Sequence, residues 1–420
     1  MSNPGDPGWK WFPNDKPSWR LDVVTLLAVM GESAIAEHSQ TITASLLCML
    51  PRLLPAPQAL LKPSRPARLP ETHAKMVGVY NGTLLDSVGF FANIITPLDA
   101  LPPYSFLVLD IQHAPSDLLS TGTMAVTGGR PIVPPKLLSP LHLLSAFSFF
   151  LSVAILVAAV IWQDGTAIIA ITLISSASSI VGYASSWRPI LMQRTHTNEV
   201  PRGDVMIRTR EGAFVLVRCS EDVTRELYSG TEECEYYVGE RAYRFFMALG
   251  TILLMFSVVL LGNCTWNSQI FIGGSYIVLN GLYWGLGMIP RTYFWDLSRY
   301  IWDDATEKDG QNADTVTDRN DEREGHPSFT RTLWYAIRET QAIGWVERSG
   351  AAPGTPQWQQ WLNEALHNAK IGNRSWEAVR RKNEIMTQAS KEGSDPATQR
   401  APATEVQVAG TGTGTTRAAF

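Results

Sequence analysis

Four stretches of this sequence, Leu143–Trp162, Thr166–Trp187, Phe245–Trp266 and Ser268–Pro290, contain no Asp, Glu, Lys or Arg. A helix crosses the hydrocarbon core of a bilayer with about 20 mostly apolar residues, because each residue rises about 1.5 Å through a layer about 30 Å thick. All four runs meet that length. A buried helix of a large soluble protein would be the other explanation, but four such runs arranged as two close pairs argue for a membrane bundle. Gln163-Asp164-Gly165 links the first pair, and the second turns around Asn263–Asn267. Links this short fold each pair into an antiparallel hairpin. Arg130, Lys136, Arg188, Arg194, Arg241, Arg244, Arg291 and Arg299 flank the runs, whereas the two turns contain no Lys or Arg. Every basic flank therefore falls on one side, which is expected to be cytosolic.

The whole-chain averages hide this pattern. The 420 residues are 45% hydrophobic and 18% charged, with a net charge of −4, because long polar stretches dilute the apolar blocks. The mild acidity gives no reason to expect nucleic acid as a partner. Cys48, Cys219, Cys234 and Cys264 are too scattered for a disulfide framework and have no zinc-ligand spacing. Lys10, Lys16 and Arg20 precede the apolar stretch Val23–Gly31, but Asp22 and Glu32 bound it, so it makes a poor signal peptide.

Small residues mark packing faces in lipid. The second run carries Ser175, Ser176, Ala177, Ser178, Ser179 and Gly182; the fourth carries Gly273, Gly274, Gly281, Gly285 and Gly287. Packing within the bundle is the simpler reading, and a homo-oligomer face through Gly281 and Gly285 is the alternative. Charged groups inside spans mark ion pathways and proton relays. These runs have none, with Asn280, Tyr276 and Tyr283 as their most polar large groups. Secondary transport is disfavoured, and a pore lined by serine and asparagine stays open.

Outside the spans, Thr41–Leu50 and Ser87–Leu98 are apolar but too short to cross, so each reads as a core, interfacial or re-entrant segment. Residues 51–70, rich in Pro with Lys62, Arg65 and Arg68, read as a linker or as a contact with anionic headgroups. Val205–Arg210 and Ala213–Cys219 flank Glu211-Gly212 as a hairpin, and Ser220 can cap a helix through Tyr228 that ends at Gly230. Glu232, Glu233 and Glu235 around Cys234 read as a solvated acidic face. Tyr293, Phe294, Trp295, Tyr300 and Trp302 read as an aromatic belt where the chain leaves the bilayer. Residues 303–327 are polar enough for a flexible linker. Beyond them Ser328, Thr355-Pro356 and Ser375 open three helices. Trp358, Trp361, Leu362, Ala365 and Leu366 share one face that packs within the unit or docks on a membrane or a protein partner. The Ala/Thr/Gly-rich end reads as disordered.

Nucleophile-elbow, zinc-protease, P-loop and dinucleotide signatures are lacking, and the seven histidines are scattered. The sequence therefore names no catalytic, cofactor-binding or metal-binding residue, and it reads as a non-enzyme without a cofactor. From about residue 202 onward, LVRCSEDVTRELYSGTEECEYYVGER, GTILLMFSVVLLGNC, YFWDLSRY and RTLWYAIRETQAIGWVERSGAAPGTPQWQQWL resemble a group of uncharacterised multi-spanning membrane proteins of filamentous fungi. The resemblance covers about half the chain and implies a multi-spanning fold but no activity.

The expected fold is mainly α: a polytopic membrane protein with four transmembrane helices in two hairpins, a small α+β cytosolic loop and a helical cytosolic tail. Its expected divisions are an N-terminal apolar and Pro-rich region (1–141), hairpins at 142–188 and 244–291, a loop at 189–243, an interfacial segment and acidic linker at 292–327, a helical unit at 328–386 and a tail at 387–420. The expected role is a membrane-anchored interaction or sensor protein, with a transport or channel component as the alternative. The expected partners are the lipid bilayer and a protein bound through the C-terminal helices.

Overall fold

The computed structural model describes residues 32–54, 65–115, 130–193, 198–321 and 323–392. The stretch before Glu32, Lys62, Gly128-Gly129, Arg194 and the tail past residue 392 lie outside the described residues. The chain forms two compact units, Met1–Asp314 and Thr315–Phe420.

The first unit contains α1 (Glu32–Ala44), α2 (Phe90–Ile95), α3 (Pro140–Ile161), α4 (Gly165–Ala184), α5 (Glu240–Leu261) and α6 (Trp266–Leu286). Helices α3, α4 and α5 are long and apolar enough to cross a membrane, which is the architecture of a polytopic membrane protein. Helix α6 contains no Asp, Glu, Lys or Arg, but with Asn267, Gln269, Asn280 and its glycines it is not among the three candidate spans. Local chemistry fixes the helix starts. Ser139 caps α3 with Pro140 in its first turn, and Asp164 caps α4 by accepting from the Ala167 N–H at 3.0 Å.

Helix α4 is central, with 56% of its span buried against 33% for α3 and 22% for α5. It packs on both α3 and α5, while α3 also packs on α6. The bundle is apolar outside and partly polar inside. Leu143, Phe150, Val157, Ile161, Phe245, Met255 and Val259 are exposed, whereas Ser148, Ser152, Ser175, Ser178 and Ser257 are buried. So large an apolar surface is stable in lipid rather than in water. The two turns meet at the far end, where the fully buried Asp164 carboxylate accepts from both the N–H and the hydroxyl of Thr265, each at 2.8 Å.

The small residues of α4 do pack within the bundle, and the Ser257 hydroxyl donates to the Ala170 carbonyl at 3.0 Å. The glycines of α6 behave differently. Side chains added at Gly274, Gly281 or Gly285 would meet open space, and these residues lie on the exposed face beside Trp284. Intramolecular packing therefore does not explain the Gly281/Gly285 pair.

Both helical pairs return the chain to a six-stranded sheet. Its strands are β1 (Thr72–Gly78), β2 (Leu84–Val88), β3 (Phe106–His113), β5 (Val205–Arg208), β6 (Phe214–Arg218) and β8 (Tyr300–Asp304), in the order β2-β1-β5-β6-β3-β8. All neighbours are antiparallel except β3 and β6. Strands β4 (Trp187–Ile190) and β7 (Glu233–Tyr236) pair separately. The β5–β6 hairpin turns at Gly212, whose φ of 82° suits glycine. Every residue of β6 before Arg218 is buried, as a near-continuous apolar strand requires.

The sheet redraws the expected divisions. The region 1–141, the loop 189–243 and the segment after α6 do not fold apart, because each contributes strands to this one sheet. Residues 303–314 are also ordered, since β8 runs through Asp304 and a helical turn follows at Lys308–Gln311. Most of the expected aromatic belt is core. Phe294, Trp295 and Tyr300 are almost fully buried, and Trp295 meets Phe90 and Phe91 edge-on with centroids 5.9 and 5.2 Å apart. Only Tyr293 and Trp302 of that group keep appreciable exposure.

In the second unit, α7 (Phe329–Thr340), α8 (Gly344–Ser349), α9 (Pro356–Lys370) and α10 (Ala378–Glu392) surround a tryptophan-rich core. Ser328 and Thr355 cap α7 and α9 by accepting from Arg331 N and Trp358 N. Ser375 caps nothing; its hydroxyl donates to Asn373, and α10 begins three residues later. Trp376 covers Trp334 and Trp361 at centroid distances of 4.8 and 5.7 Å. The loop before α7 is tied back by the Thr317 N–H donating to Gly325 O at 2.8 Å, so residues 315–327 are not an open linker.

Candidate functional site

The bundle interior receives a segment from outside the spans. After α1, a 3-10 turn at Leu46–Met49 leads into the extended residues Pro51–Leu54, which lie against α3 and α4. Extended backbone inside a bundle needs partners for its N–H and C=O groups. Serines of the helices supply them. The Leu53 N–H donates to Ser152 Oγ at 2.8 Å, the Ser148 hydroxyl donates to Leu53 O, and the Arg52 N–H donates to Ser178 Oγ at 3.3 Å. The Cys48 thiol donates to Gly182 O at 3.2 Å. Within Thr41–Leu50, Ile42 and Cys48 are buried, whereas Leu46 and Met49 are exposed.

This segment carries Arg52 inward. Its side chain is 1% exposed, and neither Nε nor Nη1 has a hydrogen-bond partner. Tyr283 of α6 is within electrostatic reach, and its hydroxyl is also unpartnered. Tyr276 Oη, Asn280 Oδ1 and Ser175 Oγ are buried without partners as well. The absence of charge within the spans therefore does not mean a bundle interior without charge. Sequence reasoning placed Arg52 in a linker because its own neighbours, Pro51 and Leu53, give no sign of the helices that enclose it.

A second buried network lies in the sheet region. Glu226 sits on a turn of π-helix, Thr224–Ser229, that follows the Ser220 cap position. Its Oε2 accepts from Tyr300 Oη at 2.7 Å and Arg299 Nε at 3.0 Å, and lies 3.0 Å from His113 Nε2. Oε1 accepts from Arg299 Nη2 at 2.8 Å. His113 and Tyr300 are directly paired across β3 and β8, so the sheet register assembles three of the four groups. Burial pushes the Glu226 carboxyl up, but the hydrogen bonds from His113, Arg299 and Tyr300 outweigh it and hold the carboxyl at about 2. A carboxylate so fully engaged acts as a clamp rather than as a base.

Because the folded value lies below the ordinary one near 4.5, this stabilisation is present above about pH 4.5 and is lost as pH falls towards 2. The difference corresponds to about 3 kcal/mol. Denaturant unfolding of wild type and Glu226→Gln should therefore show a gap at pH 7 that narrows at pH 3. A gap independent of pH would contradict the clamp.

The acidic cluster divides into three roles instead of one solvated face. Glu232 is buried and accepts from the Phe90 and Phe91 N–H groups at 2.7 and 3.0 Å, capping α2. Burial pushes its carboxyl up to about 7, while those two donors pull the other way. Glu233 pairs with Arg130 at 2.8 Å, and Glu235 with Arg188 at 2.6 Å. Arg65 stacks on Tyr236 and Tyr243, 4.5 and 3.9 Å from the ring centroids, which anchors the chain there by cation–π contact rather than leaving it a free linker. Burial also pushes the Cys219 and Cys234 thiols up to about 12, so both are poor nucleophiles near neutral pH. A cavity of about 250 Å³ lies where α1 and the end of α6 meet, lined by His38, Thr41, Phe90, Arg291, Phe294 and Trp295 among others.

No protein-family model, curated protein or solved structure matches the chain. The resemblance from residue 202 onward gains no support from these comparisons, and the function has to be read from the geometry alone.

Proposed function

We propose that this chain is a membrane-anchored interaction or sensor protein whose four long helices cross the bilayer in two hairpins, with α6 as the fourth span. The observation that carries this reading is the continuity of bundle and sheet. One hydrophobic core runs from Ile171 and Ile272 of the bundle through Trp187 and Trp295 to Ile111 and Val217 of the sheet. A rearrangement in the bundle is therefore felt by the polar domain, as a sensor needs. The Lys and Arg flanks at the sheet end support a cytosolic sheet, with the Asp164–Thr265 end on the opposite side.

The buried serines and Asn280 favour one other reading, a transport or channel component with a polar-lined bundle. Reconstitution separates the two. Liposomes containing the purified protein are expected to show no more solute flux than empty liposomes. Robust flux that disappears with Asn280→Leu would replace the sensor reading with the transport one.

A further inference from the structure

We propose that the bundle holds an intramembrane oxyanion site centred on Arg52, which would give the sensor its ligand. An arginine does not escape burial by losing its proton, and a buried cation without a counter-charge is strongly unfavourable. Arg52 is nonetheless held inside. Hydrogen bonds to Ser178 and, at Leu53, to Ser148 and Ser152 fix the backbone on both sides of its side chain. It forms no ion pair among the described residues, and its Nε and Nη1 are left without partners.

The surrounding chemistry selects the ligand. Guanidinium N–H groups match the oxygens of a phosphate, sulfate or carboxylate better than they match a spherical halide. The unpartnered hydroxyl of Tyr283, within electrostatic reach of Arg52, can add a donor. Leu53 meets Ser148 and Ser152 near the middle of α3, whereas Ser178 and Tyr283, which lie nearest Arg52, stand towards the sheet ends of α4 and α6, so the oxyanion can be a free ion or a headgroup phosphate. The site does not depend on the sensor reading, because an anion can be held there whether or not the bundle conducts it.

The test uses the full-length protein in nanodiscs of zwitterionic lipid. Inorganic phosphate is titrated against chloride at equal ionic strength, with thermal unfolding and calorimetric binding as readouts. Wild type should bind phosphate saturably and unfold at a higher temperature with it. Arg52→Met should abolish both effects while unfolding, without phosphate, at a temperature no lower than wild type. Tyr283→Phe, which removes only a hydroxyl, should weaken binding about tenfold. A parallel arm supplies phosphatidic acid without free phosphate. Stabilisation in that arm alone, again lost with Arg52→Met, would support the Arg52 site and assign its anion to a lipid. The proposal is overturned if wild type binds neither source, or if Arg52→Met and Tyr283→Phe both bind as wild type does.

Discussion

Trp361→Ala is expected to cost the C-terminal unit about 3–5 kcal/mol, the range for removing a fully buried aromatic side chain. The indole is completely buried, and its Nε1 donates to Ala378 O at 2.9 Å. Trp358 and Trp376 close over it at 5.6 and 5.7 Å. The substitution removes one of the contacts that bind α9 to the start of α10, beside the Arg381–Glu364 pair, and leaves a cavity beside Trp376. Residues 315–392 expressed alone should melt cooperatively, and Trp361→Ala should lower the transition sharply. A loss below about 1 kcal/mol, the scale of an ordinary surface change, would contradict a self-supporting core. Helicity that appears only with lipid would instead make these helices a membrane anchor.

Gly182→Ala should destabilise the bundle by about 3 kcal/mol or more, at or beyond the upper end of overpacking costs. A methyl group there would sit 1.9 Å from the carbonyl oxygen of Cys48 and 2.7 Å from its carbon. Both are backbone atoms of the inserted segment, so no side chain can simply rotate away. Relief would push the segment off α4 and weaken the Cys48–Gly182 and Arg52–Ser178 hydrogen bonds. Gly281→Ala is the control. It meets nothing within 4 Å and should be neutral or slightly stabilising, since alanine is the better helix former by about 1 kcal/mol. Equal unfolding temperatures for the two variants in lipid nanodiscs would show that the segment does not press against α4.

The contrast between those glycines shows what a sequence can and cannot reveal. The long helices were legible because length and absence of charge are local properties. The β5–β6 hairpin was legible from Glu211-Gly212, and the starts of α7 and α9 from Ser328 and Thr355-Pro356. The six-stranded sheet was not, because its neighbours come from segments separated by whole helical pairs, and no local pattern announces a pairing such as His113 with Tyr300. Glu226 was hidden for the same reason, since its partners lie far away in sequence. Phe294, Trp295 and Tyr300 were misread because aromatic density looks the same at a membrane boundary and in a core. Arg52 was missed because a charge can enter the bundle on a segment that is not itself a span.

The most direct test of the account concerns sidedness. The central claim is that both helical pairs cross the membrane and return, leaving the sheet on one side and the two turns on the other. Single cysteines at the exposed positions Tyr237 and Gln163 report those two ends. In sealed vesicles of known orientation, a membrane-impermeant maleimide should label Gln163→Cys from the extracytosolic face only and Tyr237→Cys from the cytosolic face only. Labelling of both positions from the same face would contradict the account.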